Sequence, residues 1–423
     1  TGLWDLQGVR PLFNMLTCVL SAEKSDGDSY PLEGRQYSGS LSEINVTRAV
    51  AREELTVEEV TYYLNILGDR SVVMDRELDP QVFDATSPYE DQVRQGATVV
   101  PRSLWFVDFQ QHSEFGVNSQ EPLVETSDRA RSRAKEPWDT VEMEGQIERD
   151  FLYYCVTGSE LIHFAHLDFP ISVLPLHISG TDYHLLDEQD ARQNGYQHLA
   201  NWISDASEKW EANKEDTTDE GLLEWINYRH KLTQQNPEPQ YRVLQNTSGS
   251  YVYGAVVDTN ELNNPSINGT EIQLQRNNDG NIPLTVDHKC YYYETDDREE
   301  AYYLCGFLNA PLVLELIEEM MSRGLFGGRD VHKRVWEIAI PEYNPDNPTH
   351  TAIRDTAIEG EQRAYDMLPD LLEQYDPLTS IGWIRRRQRE ELEPLQSELS
   401  ELCLEALEAE NPRQSSLFES MDE

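Results

Sequence analysis

The segment Ser322–His350, SRGLFGGRDVHKRVWEIAIPEYNPDNPTH, is where this sequence concentrates side chains able to bind an anion. Between Arg323 and Arg334 it places Arg323, Arg329, Lys333 and Arg334, with His332, against one acid, Asp330, and sets glycines at 324, 327 and 328 among them. An arginine fork matches a phosphate or a guanine edge bidentately, and glycine lets a backbone turn sharply or come close to a partner. The competing assignment pairs Arg329 and Arg334 with neighbouring acids such as Asp330 and Glu337. A further basic position, Arg102, lies between Pro101 and the run SLWFVDF, whereas Arg129, Arg131, Arg133 and Lys135 in DRARSRAKEP read as a solvated surface loop.

Signatures of catalysis are missing. The sequence has no GxSxG, no HExxH and no GxxxxGK[ST]. No Gly-rich turn follows a strand in the pattern that cradles a dinucleotide or S-adenosylmethionine. His163 and His166 have a spacing that a helix could align, but a pair without a third ligand reads as structural. Cys18, Cys155, Cys290, Cys305 and Cys403 are scattered, contain no CxxC, and read as reduced, mostly buried thiols of a cytoplasmic protein. Carboxylate pairs carry no information here, because Asp and Glu occur throughout.

That abundance of acid frames the basic segment. The chain holds 78 Asp and Glu against 34 Lys and Arg, a formal net charge of −44, and only seven of the cations are lysine. Spread acidity with little lysine suggests a salt-rich cytoplasm, where a Debye length of about 3 Å at 1 M makes self-repulsion cheap. With 38% hydrophobic residues, 8 Trp and 21 Tyr, the 423 residues are expected to fold with a sizeable core. No apolar run is long enough to span a membrane, and no signal peptide is read. The first residue is Thr1, and the expectation is a fragment of something longer.

The elements that would position these residues are expected to be α+β, with a β-rich lobe over 1–150, a second α+β lobe over 151–350 and an acidic helical segment over 351–423. PLFNMLTCVLSAE (Pro11 to Glu23) reads as a buried strand, YPLEGRQYSGSL as a hairpin, and TVEEVTYYLNIL as strand or helix. In GATVVPRSLWFVDFQ the chain extends, breaks at Pro101 and resumes as a strand. The first half of IERDFLYYCVTGSELIHF reads as an amphipathic helix ending at Gly158, and PISVLPLHI as a buried strand. Helices are expected in HLANWISDASEKWEANK and GLLEWINYRHKLTQQ, a strand pair in YRVLQNTSGSYVYGAVVD, and another strand in VDHKCYYYETDD. REEAYYLCGFLNAPLVLELIEEMMSRG reads as helix interrupted near Asn309-Ala310-Pro311, VWEIAIPEY as a strand, and the chain from Thr349 onward as helix, with Pro369, Pro377 and Pro394 at ends or kinks.

Several of these stretches together resemble a known family. GATVVPRSLWFVDF resembles the G-A-x-x-x-P-R-x-[FL]-[WF]-x-V segment in the specificity half of large adenine-specific DNA methyltransferases of type II restriction–modification systems. YYLCGFLNAPLVLELIEEMMSRGLFGGRDVHKRVWEIAIPEYNPDNPTHTAI resembles the family's following segment, a helix Y-L-x-x-x-L-N-S, a glycine loop with basic residues, then I-P-x-[FY] and N-x-x-H. Asn309, Pro341, Tyr343 and His350 fall at matching places, and Ala310 stands where serine is usual. The resemblance covers roughly residues 8 to 360. Its methylase half, with a Gly-rich S-adenosylmethionine loop and Asn-Pro-Pro-Tyr/Phe, has no counterpart; NPDNP and NPEPQ are not that tetrapeptide. The resemblance therefore implies the target-recognising part, with double-stranded DNA and a methylase domain or subunit as partners. S-adenosylmethionine would serve the parent methylase, and no cofactor or metal is expected in this chain. It implies a DNA-binding role for Arg102, Arg323, Arg329, Lys333 and Arg334, with phosphate contacts positioning the domain and base contacts specifying the site. The alternatives are an acidic scaffold that docks on a catalytic subunit without touching DNA, and an independent enzyme with an unrecognised site.

Overall fold

The computed structural model describes residues 2–10, 17–21, 30–43, 45–67, 70–74, 87–110, 116–319, 333–374 and 381–410. The fold is α+β, with several small sheets and a helical C-terminal segment. The chain divides into two compact units: Thr1–Glu90, Leu312–Glu342 and Leu404–Glu423 make one, and Asp91–Pro311 with Tyr343–Cys403 make the other.

The first unit contains a five-stranded sheet. Strand Gly2–Arg10 pairs antiparallel with Cys18–Ser21 and parallel with Leu32–Ser40, followed by the antiparallel strands Leu55–Leu67 and Arg70–Met74. TVEEVTYYLNIL is thus strand, as its β-branched and aromatic alternation favours. Three expectations are corrected here. Of PLFNMLTCVLSAE, residues 11–16 and 22–23 lie outside the described residues, and its strand Cys18–Ser21 is exposed rather than buried. YPLEGRQYSGSL is no hairpin, because strands on both sides draw Leu32–Ser40 into one continuous strand. Its Gly34 serves close packing instead of a turn: a Cβ there would stand 2.5 Å from the Tyr62 ring. VWEIAIPEY forms a 3-10 turn at Val335–Glu337 and then irregular chain, its apolar residues Val335, Trp336, Ile338 and Ile340 buried without strand pairing.

The second unit holds the larger core. A six-stranded sheet runs, in spatial order, Leu284–Val286, Leu152–Val156, Ile171–Val173, Phe106–Phe109, Leu123–Thr126 and Glu144–Gln146. A four-stranded antiparallel sheet runs Gly254–Asp258, Tyr241–Asn246, Cys290–Thr295 and Arg94–Gln95. Helix Gln197–Asn213 buries Leu199, Trp202, Ile203, Ala206 and Trp210 at helical spacing, and the Trp202 indole donates to the Leu104 carbonyl at 3.1 Å. Helix Arg298–Asn309 is buried from Ala301 onward and packs on helix Pro348–Gln374. That packing needs Gly306, where a Cβ would lie 2.5 Å from Ile353. The interruption falls at Ala310, between Arg298–Asn309 and helix Pro311–Glu319. The last described helix is Gly382–Glu410, and Pro369 and Pro394 lie inside the two C-terminal helices.

Three more segments differ from their sequence patterns. FLYYCV is a 3-10 turn at Arg149–Phe151 leading into strand Leu152–Val156. Burial on both faces removed the alternation by which such a strand is usually read. SLW belongs to a helical turn, Arg102–Trp105, and the strand begins only at Phe106. DRARS is the short helix Asp128–Ser132 rather than a loop.

Candidate nucleic-acid interface

Arg323, Arg329 and the glycines at 324, 327 and 328 lie outside the described residues. Lys333 is exposed, whereas Arg334 is buried with its guanidinium 3.8 Å from Glu337, the pairing weighed as the alternative to anion binding. These two residues belong to the first unit and Arg102 to the second.

Arg102 is placed by the motif that surrounds it. Gly96 backs onto the chain at Val286 and Asp287 so closely that a Cβ would stand 2.3 Å from the Val286 carbonyl oxygen. The Ala97 amide donates to Val286 (2.8 Å) and the His288 amide to Ala97 (2.7 Å), which fixes the strap beside Asp287. The helical turn that follows buries Ser103, Leu104 and Trp105 and leaves Arg102 at the surface, 2.9 Å from the fully buried Asp287 carboxylate. Pro101 and Arg102 thereby line a recess of about 710 Å³.

The recess gathers positive charge from distant parts of the second unit. Arg102, Arg129, Arg133, Lys135, Lys289 and Arg385 line it, together with His288, and among the described residues Glu160 is the one carboxylate in its lining. Glu160 is buried and committed: its Oε1 lies 2.8 Å from Arg129, and its Oε2 accepts from the Thr157 hydroxyl at 2.5 Å. Burial pushes its carboxyl up, opposed by the Thr157 hydrogen bonds and by Arg129. Arg385 donates to the carbonyls of Leu161 (2.9 Å) and Gly158 (2.5 Å) and lies 4.8 Å over the Tyr253 ring. Arg133 reaches the Ser159 hydroxyl at 3.4 Å, and among the described residues the Lys135 and Lys289 side chains have no partner. Such an arrangement can bind an anion; among the described residues no cysteine lines it, and the buried Cys155 and Cys290 thiols are pushed well up by burial and are poor nucleophiles.

The other sequence signals resolve into scaffold. Asn309 donates to the carbonyls of Gly254 and Cys305, each at 2.9 Å, and accepts from the Phe164 amide, tying a strand, its own helix and a tight turn together. Tyr343 and His350 each pack tilted against Tyr303, and the Tyr343 hydroxyl donates to Glu299 at 2.8 Å. His163 and His166 flank a turn at Phe164 (φ 62°), not a helix. The His163 imidazole is held neutral, pushed down to about 3 by burial and then by Arg385 and Arg389. Among the described residues no group of three or more His, Cys, Asp and Glu could hold a metal.

Sequence reasoning missed most of this recess. DRARSRAKEP has the pattern of a solvated loop, yet three of its cations line the recess. The densest arginine run, Arg385, Arg386, Arg387 and Arg389, opens the last helix; a count of basic residues per window would have found it. No protein-family model matches the chain, and no curated protein matches it. No helix among the described residues is long and apolar enough to cross a membrane.

Proposed function

We propose that this chain selects the site on double-stranded DNA at which an adenine-specific methyltransferase of a restriction–modification system acts, working in the cytoplasm beside a methylase domain or subunit that holds S-adenosylmethionine. The observation that carries this reading is six Arg and Lys side chains converging on one recess of a chain whose net charge is −44. Solvating such a cluster against the general trend of the surface has a use if the partner is a polyanion. The motif resemblance supplies the choice of DNA, and Arg102 belongs both to that motif and to the recess. The Gly-rich segment with Arg323, Arg329 and the exposed Lys333 would add further contacts, whereas the buried Arg334, paired with Glu337, would not. The test is selection from a random duplex library at molar salt, which suppresses non-specific phosphate attraction, followed by sequencing of what is retained. An enriched short motif that weakens when Lys135 and Lys289 become glutamine supports recognition through the recess. A retained pool without sequence preference at every salt overturns site selection, and no retention at any salt leaves the scaffold assignment.

A further inference from the structure

The cations of the recess are of two kinds. Arg102 and Arg385 are immobilised: Arg102 by Asp287 at 2.9 Å with Phe106 5.5 Å beneath it, Arg385 by the carbonyls of Leu161 and Gly158 with Tyr253 4.8 Å beneath it. Each is a flat guanidinium backed by an aromatic ring. Arg133, Lys135 and Lys289 are exposed and pair with no carboxylate among the described residues. A fixed guanidinium plane is a stacking surface for a base, and an uncommitted cation follows a phosphate.

The shape selects between paired and unpaired nucleic acid. Base edges in an intact duplex are read by an element that protrudes into a groove. Here the cations line a concavity of about 710 Å³, room enough for a single nucleotide turned out of a strand. Resting on the DNA-binding reading above, we infer that this recess holds an unpaired nucleotide of a DNA strand. Its base would lie against Arg102 and Arg385, and its flanking phosphates on Arg133, Lys135 and Lys289.

The test is fluorescence anisotropy with the full chain and three labelled probes: a perfect duplex, the same duplex with one bulged adenine, and its single strand. The bulged duplex is expected to bind at least about tenfold more tightly than the perfect one, the effect of one stacked base. Arg385→Lys keeps the charge and removes the plane, so this ratio should fall toward one. Lys135→Gln with Lys289→Gln, both at exposed positions, should weaken all three probes alike and leave the ratio standing. Equal affinity for bulged and perfect duplex overturns the inference and leaves the DNA-binding reading intact, whereas binding to none of the probes overturns both. Displacement of the bulged probe by micromolar free dAMP overturns the strand-bound form in favour of a mononucleotide site.

Discussion

Asp287 is fully buried beneath the recess, and its carboxylate is held by the Arg102 guanidinium, the His288 imidazole at 3.1 Å and the Lys289 amide at 3.0 Å. A buried carboxylate stripped of its main cation is left with its desolvation cost uncompensated. Lys135, by contrast, is exposed and holds nothing in place. The two cations should therefore separate stability from binding. Arg102→Ala is expected to lower unfolding free energy by about 2–3 kcal/mol, toward the low end for a broken buried pair because the arginine itself is a quarter exposed. Lys135→Ala should change it by less than about 0.5 kcal/mol while weakening DNA binding. Urea titration of both variants beside anisotropy on one duplex checks the pair. Equal loss of stability in the two would mean that Arg102 is not what neutralises Asp287.

At the level of elements, helix Arg298–Asn309 and helix Pro348–Gln374 share a titrating contact. The Tyr302 hydroxyl donates to Glu361 at 2.6 Å, and burial pushes the Glu361 carboxyl up to about 7, with the Tyr302 hydrogen bond and Arg298 opposing and Glu261 and Asp258 reinforcing. A carboxyl whose folded pKa exceeds its unfolded value of about 4.3 keeps its proton longer in the native state. Native protein then binds more protons than unfolded protein between about pH 4.5 and pH 7, so this group's contribution to stability falls as pH rises through that window and is flat above it. Glu361→Gln should remove that slope, and the difference in thermal midpoint between wild type and variant should grow in the variant's favour from pH 5 to pH 7.5. Helix Pro348–Gln374 was legible in the sequence because its one buried face, Ile353, Ala357, Gly360 and Ala364, leaves a period near 3.6. The strands of the six-stranded sheet were less so: in Leu152–Val156 four of five residues are buried, and a run without alternation has no period to read. The recess was legible only at Arg102, since its walls come from residues near 102, 130, 158, 250, 288 and 385, and no local spacing announces a site assembled across nearly three hundred residues. Asn309, Tyr343 and His350 were legible as a pattern, and what the pattern encodes is a hydrogen-bond hub and an aromatic cluster.

The whole molecule sets a field against which the recess must work. A net charge of −44 repels DNA, and the repulsion reaches furthest when salt is low, with a Debye length of about 30 Å at 0.01 M and about 10 Å at 0.1 M. The recess acts at contact distance, where screening removes much less. Its own salt dependence is the ordinary one: each phosphate neutralised releases counterions, and affinity falls as salt rises. The two trends oppose each other. Affinity for a duplex should therefore pass through a maximum as potassium chloride goes from 0.05 to 2 M, rising while the general repulsion is screened and falling once counterion release dominates. The thermal midpoint, measured without DNA, should rise across the same series as the self-repulsion of the acidic surface is screened. Anisotropy and calorimetry on one set of samples distinguish the contributions. A monotonic fall in affinity from the lowest salt, with a rising midpoint, would mean that the acid-rich surface lies away from the bound DNA and that the recess alone governs binding.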